Sequence, residues 1–456
     1  MQRERGRINT SRSTLDPSLL RALRIVVRAD SDPVRQALFA NLLRSRRGVR
    51  FVYGLHERIR TTWASALLVS CYGLSAFLTI APSRNRRAKV LVVANHENAK
   101  RQVSRVVSWV GPDDCGWLLT GKKAFPAAIN RAGLFSLLSR RHLIRTVRIV
   151  RTIDQRHGFL VSCRAAGAIA WYARSKAILD ADKPGAVLVS SDSNPEEVGF
   201  VGAARALEIP QVFVAHAYPT PLSPPLDFSL SILEGEAAVV ARKRKGPIRG
   251  EVLFAGIEGR SAPLDPQRFR RPNPSIGVFT PKGISWPALA AVIEDCRRHF
   301  HPARIVIRWH PSMLEPPRLA DLLLDRAGIV ETPKTMTLPE VARECDWVIG
   351  DENSNVHLPV LKLGIPTVAV KGLGLYPPSR ADMYGFVANG IVFPPVQSIR
   401  DVDPDTFVAF FSELWAARFR QYDFSYLRPQ DAIAGDVRRA VWGLLDNTGS
   451  RAVGAN

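Results

Sequence analysis

The chain has 456 residues, 46% of them hydrophobic and 23% charged, and a formal net charge of +22 at pH 7. This length predicts two or three domains, and this composition excludes a disordered chain. The five cysteines form no CxxC pair, which argues against a zinc ribbon or a disulfide framework and suits a reducing cytosol.

The positive charge is confined to the first part of the chain. Residues 1–190 carry 34 Lys and Arg against 11 Asp and Glu, whereas residues 191–456 carry 29 against 30. Such a basic region is attracted to polyanions, namely nucleic acid, anionic lipid headgroups or acidic glycans. An arginine-rich composition that serves only solubility is the alternative. The N-terminus has no apolar core of a signal peptide, so none is expected.

Apolar runs in the first half predict five strands, which read LRIVVRAD, VRFVYGL, AKVLVVAN, GAVLVSSD and PQVFVAHA. Residues 124–182 are arginine-rich and mostly helical in pattern. The stretch 61–82 carries no charge and has basic flanks. It predicts a buried helix, with a helix at a membrane interface or a membrane span as alternatives.

The second half alternates strand and helix regularly from Pro274 onward. The segments PSIGVFT, ARIVIRWH, GIVE, WVIGD and TVAV read as strands. WPALAAVIEDCRRHF, PPRLADLLLDR, TLPEVAREC and NVHLPVLKLG read as the helices between them. Strands that are apolar throughout and separated by helices indicate a parallel sheet with both faces covered. We therefore expect an α/β fold of two Rossmann-like domains.

The domain boundaries follow from composition. Residues 1–260 are predicted to form a basic acceptor-binding domain, and 261–273, rich in proline, a linker. Residues 274–428 are predicted to form the nucleotide-donor domain. Residues 429–456 are predicted to form a helix that packs back toward the first domain.

The candidate site of the second domain lies where strands end, because ligands of such sheets bind at the carboxyl ends of the strands. ARIVIRWH ends in Arg308 and His310, and Pro311 fixes the backbone behind them. The loop PKG supplies Lys282 as a cation and Gly283 for close backbone approach.

The turn DENSN (351–355) precedes the next helix of this domain. Asn353 or Ser354 is a potential N-cap, and the same N–H groups with the Ser354 hydroxyl could hold a phosphate. Asp351 and Glu352 are expected to accept hydrogen bonds from Lys282, Arg308 or a ribose hydroxyl.

In the first domain, PQVFVAHA ends in His216, which could act as a general base on an acceptor hydroxyl. Asp192, at the end of the preceding strand, is the competing base or the partner that orients His216. His96 and Glu97 form a third candidate pair.

RWHPS followed by DENSN-VHLPVLKLGIPTV resembles the C-terminal domain of GT-B glycosyltransferases of bacterial surface polysaccharide synthesis. This group includes sialyl- and polysialyltransferases and the CDP-glycerol glycerophosphotransferases. ALEIPQVFVAHA is similar to the strand that ends in His-Gly in their first domain. The resemblance covers residues 184–220 and 274–372.

The resemblance implies a GT-B fold, in which two Rossmann-like domains face each other across a crevice. It implies that His310 and Pro311 bind the donor phosphate, that His310 assists its departure, and that a serine pair grips it. Here the pair is Ser354 and Asn355, and the family's glycine is Ala217. No DxD motif of the metal-dependent kind is found, so neither a metal nor a cofactor beyond the nucleotide-activated donor is expected.

The sequence thus predicts a cytoplasmic, metal-independent glycosyltransferase that works at the inner face of the plasma membrane on an anionic glycan or lipid-linked acceptor. Transfer of a polyol phosphate from a CDP-polyol, sugar-nucleotide epimerisation and a non-catalytic relative are the alternatives. A nucleic-acid-binding protein is disfavoured, because no known motif appears and aromatics are not interleaved with the basic residues.

Overall fold

The computed structural model describes residues 16–32, 36, 47–59, 61–75, 88–94, 97–118, 140–220, 223–311, 313, 327–333, 335–375 and 381–453. Its strands form a six-stranded and a five-stranded sheet. The first sheet contains β1 (Val90–Val93), β2 (Cys115–Leu118), β3 (Ala186–Val189), β4 (Gln211–Val214), β5 (Asp227–Leu233) and β6 (Arg249–Phe254). The second contains β7 (Ser275–Phe279), β8 (Arg304–Arg308), β9 (Ile329–Glu331), β10 (Trp347–Asp351) and β11 (Thr367–Val370).

The described α-helices are distributed along the whole chain. In the first half they are α1 (Pro17–Asp30), α2 (Arg47–Arg58), α3 (Thr62–Ser75), α4 (Glu97–Val110), α5 (Arg140–Asp182), α6 (Pro195–Ala206) and α7 (Glu236–Lys243). In the second half they are α8 (Trp286–Phe300), α9 (Leu338–Arg343), α10 (His357–Lys362), α11 (Pro404–Phe410), α12 (Glu413–Tyr422) and α13 (Gln430–Val453).

The first sheet has the strand order β2-β1-β3-β4-β5-β6. β1 pairs in parallel with β2 and β3, β3 with β4, and β5 with β6. Every residue of β1, β3 and β4 is buried, as expected for strands of a parallel sheet covered on both faces. The chain leaves β1 toward β2 and returns beside β1 as β3, so the switch point of this sheet lies between β1 and β3.

The second sheet has the order β11-β10-β7-β8-β9, with every neighbouring pair parallel. All five strands predicted for it are confirmed, and so are three of its helices. The predicted helix PPRLADLLLDR (316–326) lies outside the described residues. The switch point lies between β7 and β10. The predicted α/β fold class, with two parallel sheets, is confirmed.

Two predicted strands of the first half are wrong, because LRIVVRAD and VRFVYGL lie in helices α1 and α2. In α1, Asp16 caps the helix by accepting a hydrogen bond from the Ser18 N–H, and Pro17 occupies the first helical turn. The buried side chains recur with helical spacing at Leu19, Ala22, Leu23 and Val26. This spacing outweighs the strand preference of the Ile-Val-Val run. Strands β2, β5 and β6 were not predicted.

The prediction of a buried helix at 61–82 is wrong for the described part, because one side of α3 is exposed. Residues 76–82 lie outside the described residues. Among the helices that the structure describes, none is long and apolar enough to cross a bilayer.

The predicted linker contains one buried anchor. Pro266–Arg270 form a short 3-10 helix in which Phe269 is buried against Phe300, Trp347 and Phe407, with ring centroids 4.3–5.5 Å away. The linker therefore contributes to the hydrophobic core below β10 instead of crossing open solvent.

The chain divides into two compact units. The first comprises Met1–Val103, Gly111–Phe213 and Val441–Asn456, and the second Ser104–Val110 and Val214–Ala440. The predicted domain boundaries are drawn on composition and stay predictions, as does the crevice between the domains.

A buried ion pair organises the second unit. Lys362, the last residue of α10, lies 2.9 Å from the carboxylate of Asp423, and the two side chains are 1% and 0% exposed. Lys362 also donates to the Ser425 hydroxyl and the Ile257 carbonyl, while Asp423 accepts from the Ile257 N–H. The Arg105 guanidinium donates to the carbonyls of Gly256 and Ile257. These bonds satisfy charges that would otherwise be costly to bury.

We expect Asp423→Ala to destabilise the fold by about 3–5 kcal/mol, because it leaves the Lys362 ammonium buried without its counter-charge. Glu294→Ala is the matched control, since Glu294 pairs with Arg298 on the surface of α8 and should cost less than about 1 kcal/mol. Urea unfolding of the three proteins measures both values. Equal losses in the two variants would contradict the assigned role of the buried pair.

Candidate functional site

Three of the predicted loops meet at the carboxyl edge of the second sheet. β7 lies between β8 and β10, with Phe279 opposite Arg308 and Val278 opposite Ile349. The loop PKG after β7 therefore lies between the loop that follows β8 and the turn DENSN that follows β10. In this type of sheet the switch point, here between β7 and β10, is where ligands bind.

His310 is half-buried and fixed through its backbone. Its N–H donates to the Thr280 hydroxyl oxygen at 3.0 Å, and its carbonyl accepts from the Met313 N–H at 2.9 Å. Burial and the positive charges of Lys282 and Arg308 lower the pKa of His310 to about 4. The ring is therefore neutral at pH 7, with one N–H that can donate a hydrogen bond.

Lys282 and Arg308 are the two cations that act on His310 among the described residues. Lys282 is exposed, whereas Arg308 is half-buried with its guanidinium carbon 5.8 Å from the Phe279 ring centroid. Both act electrostatically on His310, so the structure brings these three predicted residues together. Pro311 is exposed directly after His310.

Gly283 belongs to a backbone bridge. Its carbonyl accepts from the Leu375 N–H, and the next residue, Ile284, pairs in antiparallel fashion with Gly374. A Cβ at Gly283 would meet only the Leu375 side chain, at 3.7 Å. Described neighbours therefore leave room for a larger residue, and the close approach of a ligand to Gly283 stays a prediction.

Asp351 is a buried structural acceptor, not the ligand-facing acid that was expected. One carboxylate oxygen accepts from the Asn353 N–H at 2.9 Å, and the other from the Gly374 N–H at 2.6 Å. Its backbone carbonyl accepts from the Ser354 N–H and lies 2.9 Å from the His357 ring nitrogen Nε2. Burial raises the pKa of Asp351 despite the two backbone donors. The hydrogen bonds of Asp351 thus fix the backbone of the turn.

The predicted N-cap role of Asn353 or Ser354 is wrong. The helix begins at His357, and its N-cap is Val356, which has no side-chain capping bond. Ser354 accepts from the Val356 N–H at 3.3 Å within the turn. The N–H groups of Asn353, Ser354 and Val356 thus have internal partners and are not available to a phosphate.

Glu352 and Asn355 are the half-buried polar side chains of the turn that remain for a ligand. Burial and the nearby charge of Asp351 raise the pKa of Glu352, which Lys371 opposes. The Asn355 amide oxygen is buried and has no hydrogen-bond partner among the described residues. An amide in this state could accept a bond from a ligand.

His216 and Asp192 follow the ends of neighbouring strands in the first sheet. Val189 of β3 is paired with Phe213 of β4, so each candidate lies three residues beyond a paired position. Both are half-buried. His96 lies outside the described residues, as does the side chain of its candidate partner, Glu97.

Aromatic contacts connect the His216 loop to the turn DENSN within the second unit. Tyr218 stacks on Tyr422 at 5.0 Å and meets the Tyr384 ring edge-on at 6.2 Å. The residue before Tyr384, Met383, donates its N–H to the Asn353 side chain at 3.2 Å. The loop of the predicted base and the predicted donor turn are thus joined by two contacts.

The sequence reasoning missed Glu234, a buried acid at the end of β5. It is 4% exposed, and neither carboxylate oxygen has a hydrogen-bond partner among the described residues. Burial raises the pKa of Glu234 to about 7, although Arg242 and Arg105 favour its charged form. Such a shifted acid beside a strand end is characteristic of functional sites. Glu234 was not a candidate because the strand that precedes it, DFSLSIL, was not predicted.

Among the residues that the structure describes, no cluster of His, Cys, Asp and Glu is arranged to hold a metal ion.

No protein-family model matches the sequence, and no curated protein matches it. Among solved structures, the chain is similar to S. aureus MnaA in a UDP co-structure, with a TM-score of 0.46, 11% identity, and coverage of 78% of this chain and 96% of that one. It is similar to UDP-GlcNAc 2-epimerase from Neisseria meningitidis, bound to UDP-GlcNAc, with a TM-score of 0.44, 13% identity and coverage of 78% and 99%. It is also similar to CalG4, the calicheamicin glycosyltransferase, with a TM-score of 0.43, 10% identity and coverage of 78% and 98%. Similarity at these identities and TM-scores does not assign the chain to a family, and the fold class is based on the two sheets themselves.

Glu234→Gln should remove a pH dependence of stability. The folded protein keeps this proton until the pH approaches 7, whereas the unfolded chain releases it near 4.5, so the free energy of unfolding falls as the pH rises between these values. As the pH rises, the free energy of unfolding of Glu234→Gln should therefore increasingly exceed that of the wild type, by up to about 3 kcal/mol.

Urea unfolding across this pH range measures the difference. The control is Glu236→Gln, which removes an exposed carboxyl two residues further along the chain. Because this variant retains Glu234, its free energy of unfolding should follow the same pH dependence as that of the wild type. A parallel pH response of Glu234→Gln and wild type would contradict the assigned protonation.

Proposed function

We propose that the protein is a glycosyltransferase that takes its sugar from a nucleotide-activated donor. The observation that supports this most is the convergence of Lys282 and Arg308 on the neutral ring of His310, beside the switch point of the second sheet. Two cations and a neutral donor suit a diphosphate, which carries negative charge and accepts hydrogen bonds.

The donor would lie across the loops after β7, β8 and β10. Arg308, stiff and half-buried against Phe279, would hold one phosphate oxygen pair, and Lys282 would reach from the exposed side as a mobile point charge. The His310 N–H would donate to the phosphate oxygen on which charge develops as the glycosidic bond to the nucleotide breaks. Bound phosphate would also raise the pKa of His310, because its negative charge opposes the effect of the two cations.

The turn DENSN would contact the remainder of the nucleotide. Glu352 is half-buried with a raised pKa and could accept from a ribose hydroxyl. The Asn355 amide oxygen is open to a donor, and the Ser354 hydroxyl can still donate its proton while accepting from Val356. Side chains, not helix N–H groups, would thus make the contacts at this turn.

His216 or Asp192 would act as the base that removes the proton from the acceptor hydroxyl. The choice between them stays open. Glu234 is too buried to touch a substrate, but its position beside the Tyr218 loop makes its protonation relevant to how that loop is held. The acceptor would be an anionic glycan or a lipid-linked glycan of a bacterial surface polysaccharide.

A thermal-shift panel tests the donor class. CMP, CDP, UDP, GDP and their sugar and polyol conjugates are compared with inorganic phosphate as the control. We expect one diphosphate nucleotide and its conjugates to raise Tm, because a ligand that binds only the folded state stabilises it by mass action. A response confined to CDP-polyols would indicate polyol phosphate transfer instead. No response to any nucleotide would sink the proposal.

His310→Ala should lower turnover by about 10²–10³-fold, the usual effect of removing one donor to a developing oxyanion. The matched control is His299→Ala, on the exposed side of α8, which should retain full turnover. The measurement is initial rate with the donor that the thermal panel identifies. Full activity of His310→Ala would exclude the assigned role.

A further inference from the structure

Helix α3 buries two serines on its inner face and exposes large apolar residues on its outer face. The side chains of the inner face are buried, namely Ser65, Ala66, Val69 and Ser70. Those of the outer face are exposed, namely Trp63, Ala64, Leu67 and Cys71. Trp63 is 47% and Leu67 45% exposed, at the spacing of one helical turn. A helix that faces water normally shows the opposite distribution.

The two inner serines have partners that explain their placement. The Ser65 hydroxyl donates to the Asp154 carboxylate at 2.9 Å, and the Ser70 hydroxyl donates to the Ala66 carbonyl at 2.7 Å. The bond to Asp154 joins α3 to α5 and helps to orient it, whereas the Ser70 bond lies within α3 and only satisfies a buried hydroxyl. Its apolar outer face is a built feature of the first unit.

Helix α2 presents a second apolar face of the same kind. Phe51 is 72% and Leu55 39% exposed, again one turn apart. On the other side of the helix, Tyr53 and His56 pack on the Phe159 ring at 5.3 and 4.9 Å. Together with Ile144 at the start of α5, these helices carry five of the ten large hydrophobic side chains that are exposed among the described residues.

The Asp154 carboxylate contacts residues of all three helices. Asp154 of α5 accepts from Ser65 of α3 and from Ser162 of its own helix, and its oxygen lies 3.0 Å from His56 Nε2 of α2. These contacts keep α2 and α3 in a fixed relation to α5. The exposed apolar side chains of these three helices are here called the apolar face: Phe51, Leu55, Trp63, Leu67 and Ile144.

Arginines accompany the apolar face. α2 carries three arginines and one glutamate, and residues 140–156 carry six arginines, with the half-buried Asp154 as the one acid. The Arg151 guanidinium lies 4.5 Å from the Trp63 ring centroid and donates to the Thr62 hydroxyl at 3.1 Å. A cation over an aromatic ring at the edge of an apolar surface is an arrangement suited to a lipid headgroup layer.

We propose that the apolar face docks onto an anionic lipid surface, with its aromatic and leucine side chains among the acyl chains and its arginines at the headgroups. This assignment is independent of the proposed reaction. Contact with water alone does not explain why two helices expose apolar residues. A nucleic acid would match the arginines but would leave the leucines in water. A second copy of this chain would bring the same arginines face to face, which is unfavourable.

The apolar side chains and the arginines would contribute to lipid binding in different ways. Side chains such as Trp63 and Leu67 reach only the headgroup and upper acyl region, so the helices lie flat and do not span. The arginines add attraction that depends on anionic lipid and weakens with salt. Binding should therefore need both elements.

Cosedimentation of the full chain with vesicles tests the proposal. Vesicles of phosphatidylcholine with phosphatidylglycerol are compared with phosphatidylcholine alone. The double variant Trp63→Asp/Leu67→Asp should lower the partition coefficient on anionic vesicles at least about tenfold, equivalent to about 1.4 kcal/mol. The control is Leu414→Asp, an exposed leucine of the second unit, which should bind as wild type. Circular dichroism confirms that each variant is folded.

Cys71 gives an independent readout on the outer side of α3. It is the exposed cysteine, whereas Cys115, Cys163, Cys296 and Cys345 are buried with raised pKa values and react slowly. An environment-sensitive dye on Cys71 should shift to shorter wavelength on anionic vesicles and show no shift in the double variant.

Each alternative result overturns the proposal. These results are absence of vesicle binding, equal binding by the double variant and wild type, or an unshifted dye on bound protein. Loss of a dimer in the double variant, without loss of vesicle binding, would assign the apolar face to a second copy instead.

Discussion

The ion pair between Lys362 and Asp423 is the constraint on which the second unit depends. It joins the end of α10, the backbone at Ile257 and the segment before α13, and its two charged side chains are buried. A buried pair of this kind is not a large net source of stability, but its loss leaves a charge without compensation. Its effect is positional. It fixes the last residue of α10 against Ile257 and Ser425.

In the turn DENSN, one of two adjacent acids makes structural hydrogen bonds and the other makes none to described residues. Asp351 accepts two backbone N–H groups and is 1% exposed, so it has no free capacity for a nucleotide. Glu352, the next residue, is half-buried and has no such bonds described. Gly364, at the far end of α10, has φ of 78° and lies against the Pro263 carbonyl, where a side chain would not fit. The turn and the end of the helix are both specified by backbone contacts.

The second sheet could be predicted because its strands are uniformly apolar and Gly or Pro separates them from the helices. In the first half, β-branched runs in α1 and α2 imitated strands, since burial at helical spacing is visible only once the partner surface is known. β5 was missed because Asp227 and the serines interrupt its apolar residues. Of the site, Lys282, Arg308 and His310 could be predicted from strand ends alone. The internal use of the DENSN N–H groups and the state of Glu234 could not, because they depend on contacts between distant residues.

The net charge of the chain and the charges of the candidate site answer different physical needs. The excess of basic residues lies in residues 1–190, where exposed arginines such as Arg50 and Arg148 act through solvent and are screened by salt. Residues 191–456 are nearly neutral overall, so the proposed attraction of this part for a phosphate would not come from a long-range field. It must arise locally, from Arg308 and Lys282 at short range around a half-buried ring, where screening is weaker. The proposed docking surface and the proposed phosphate site are thus separated along the chain, and neither requires the charge of the other.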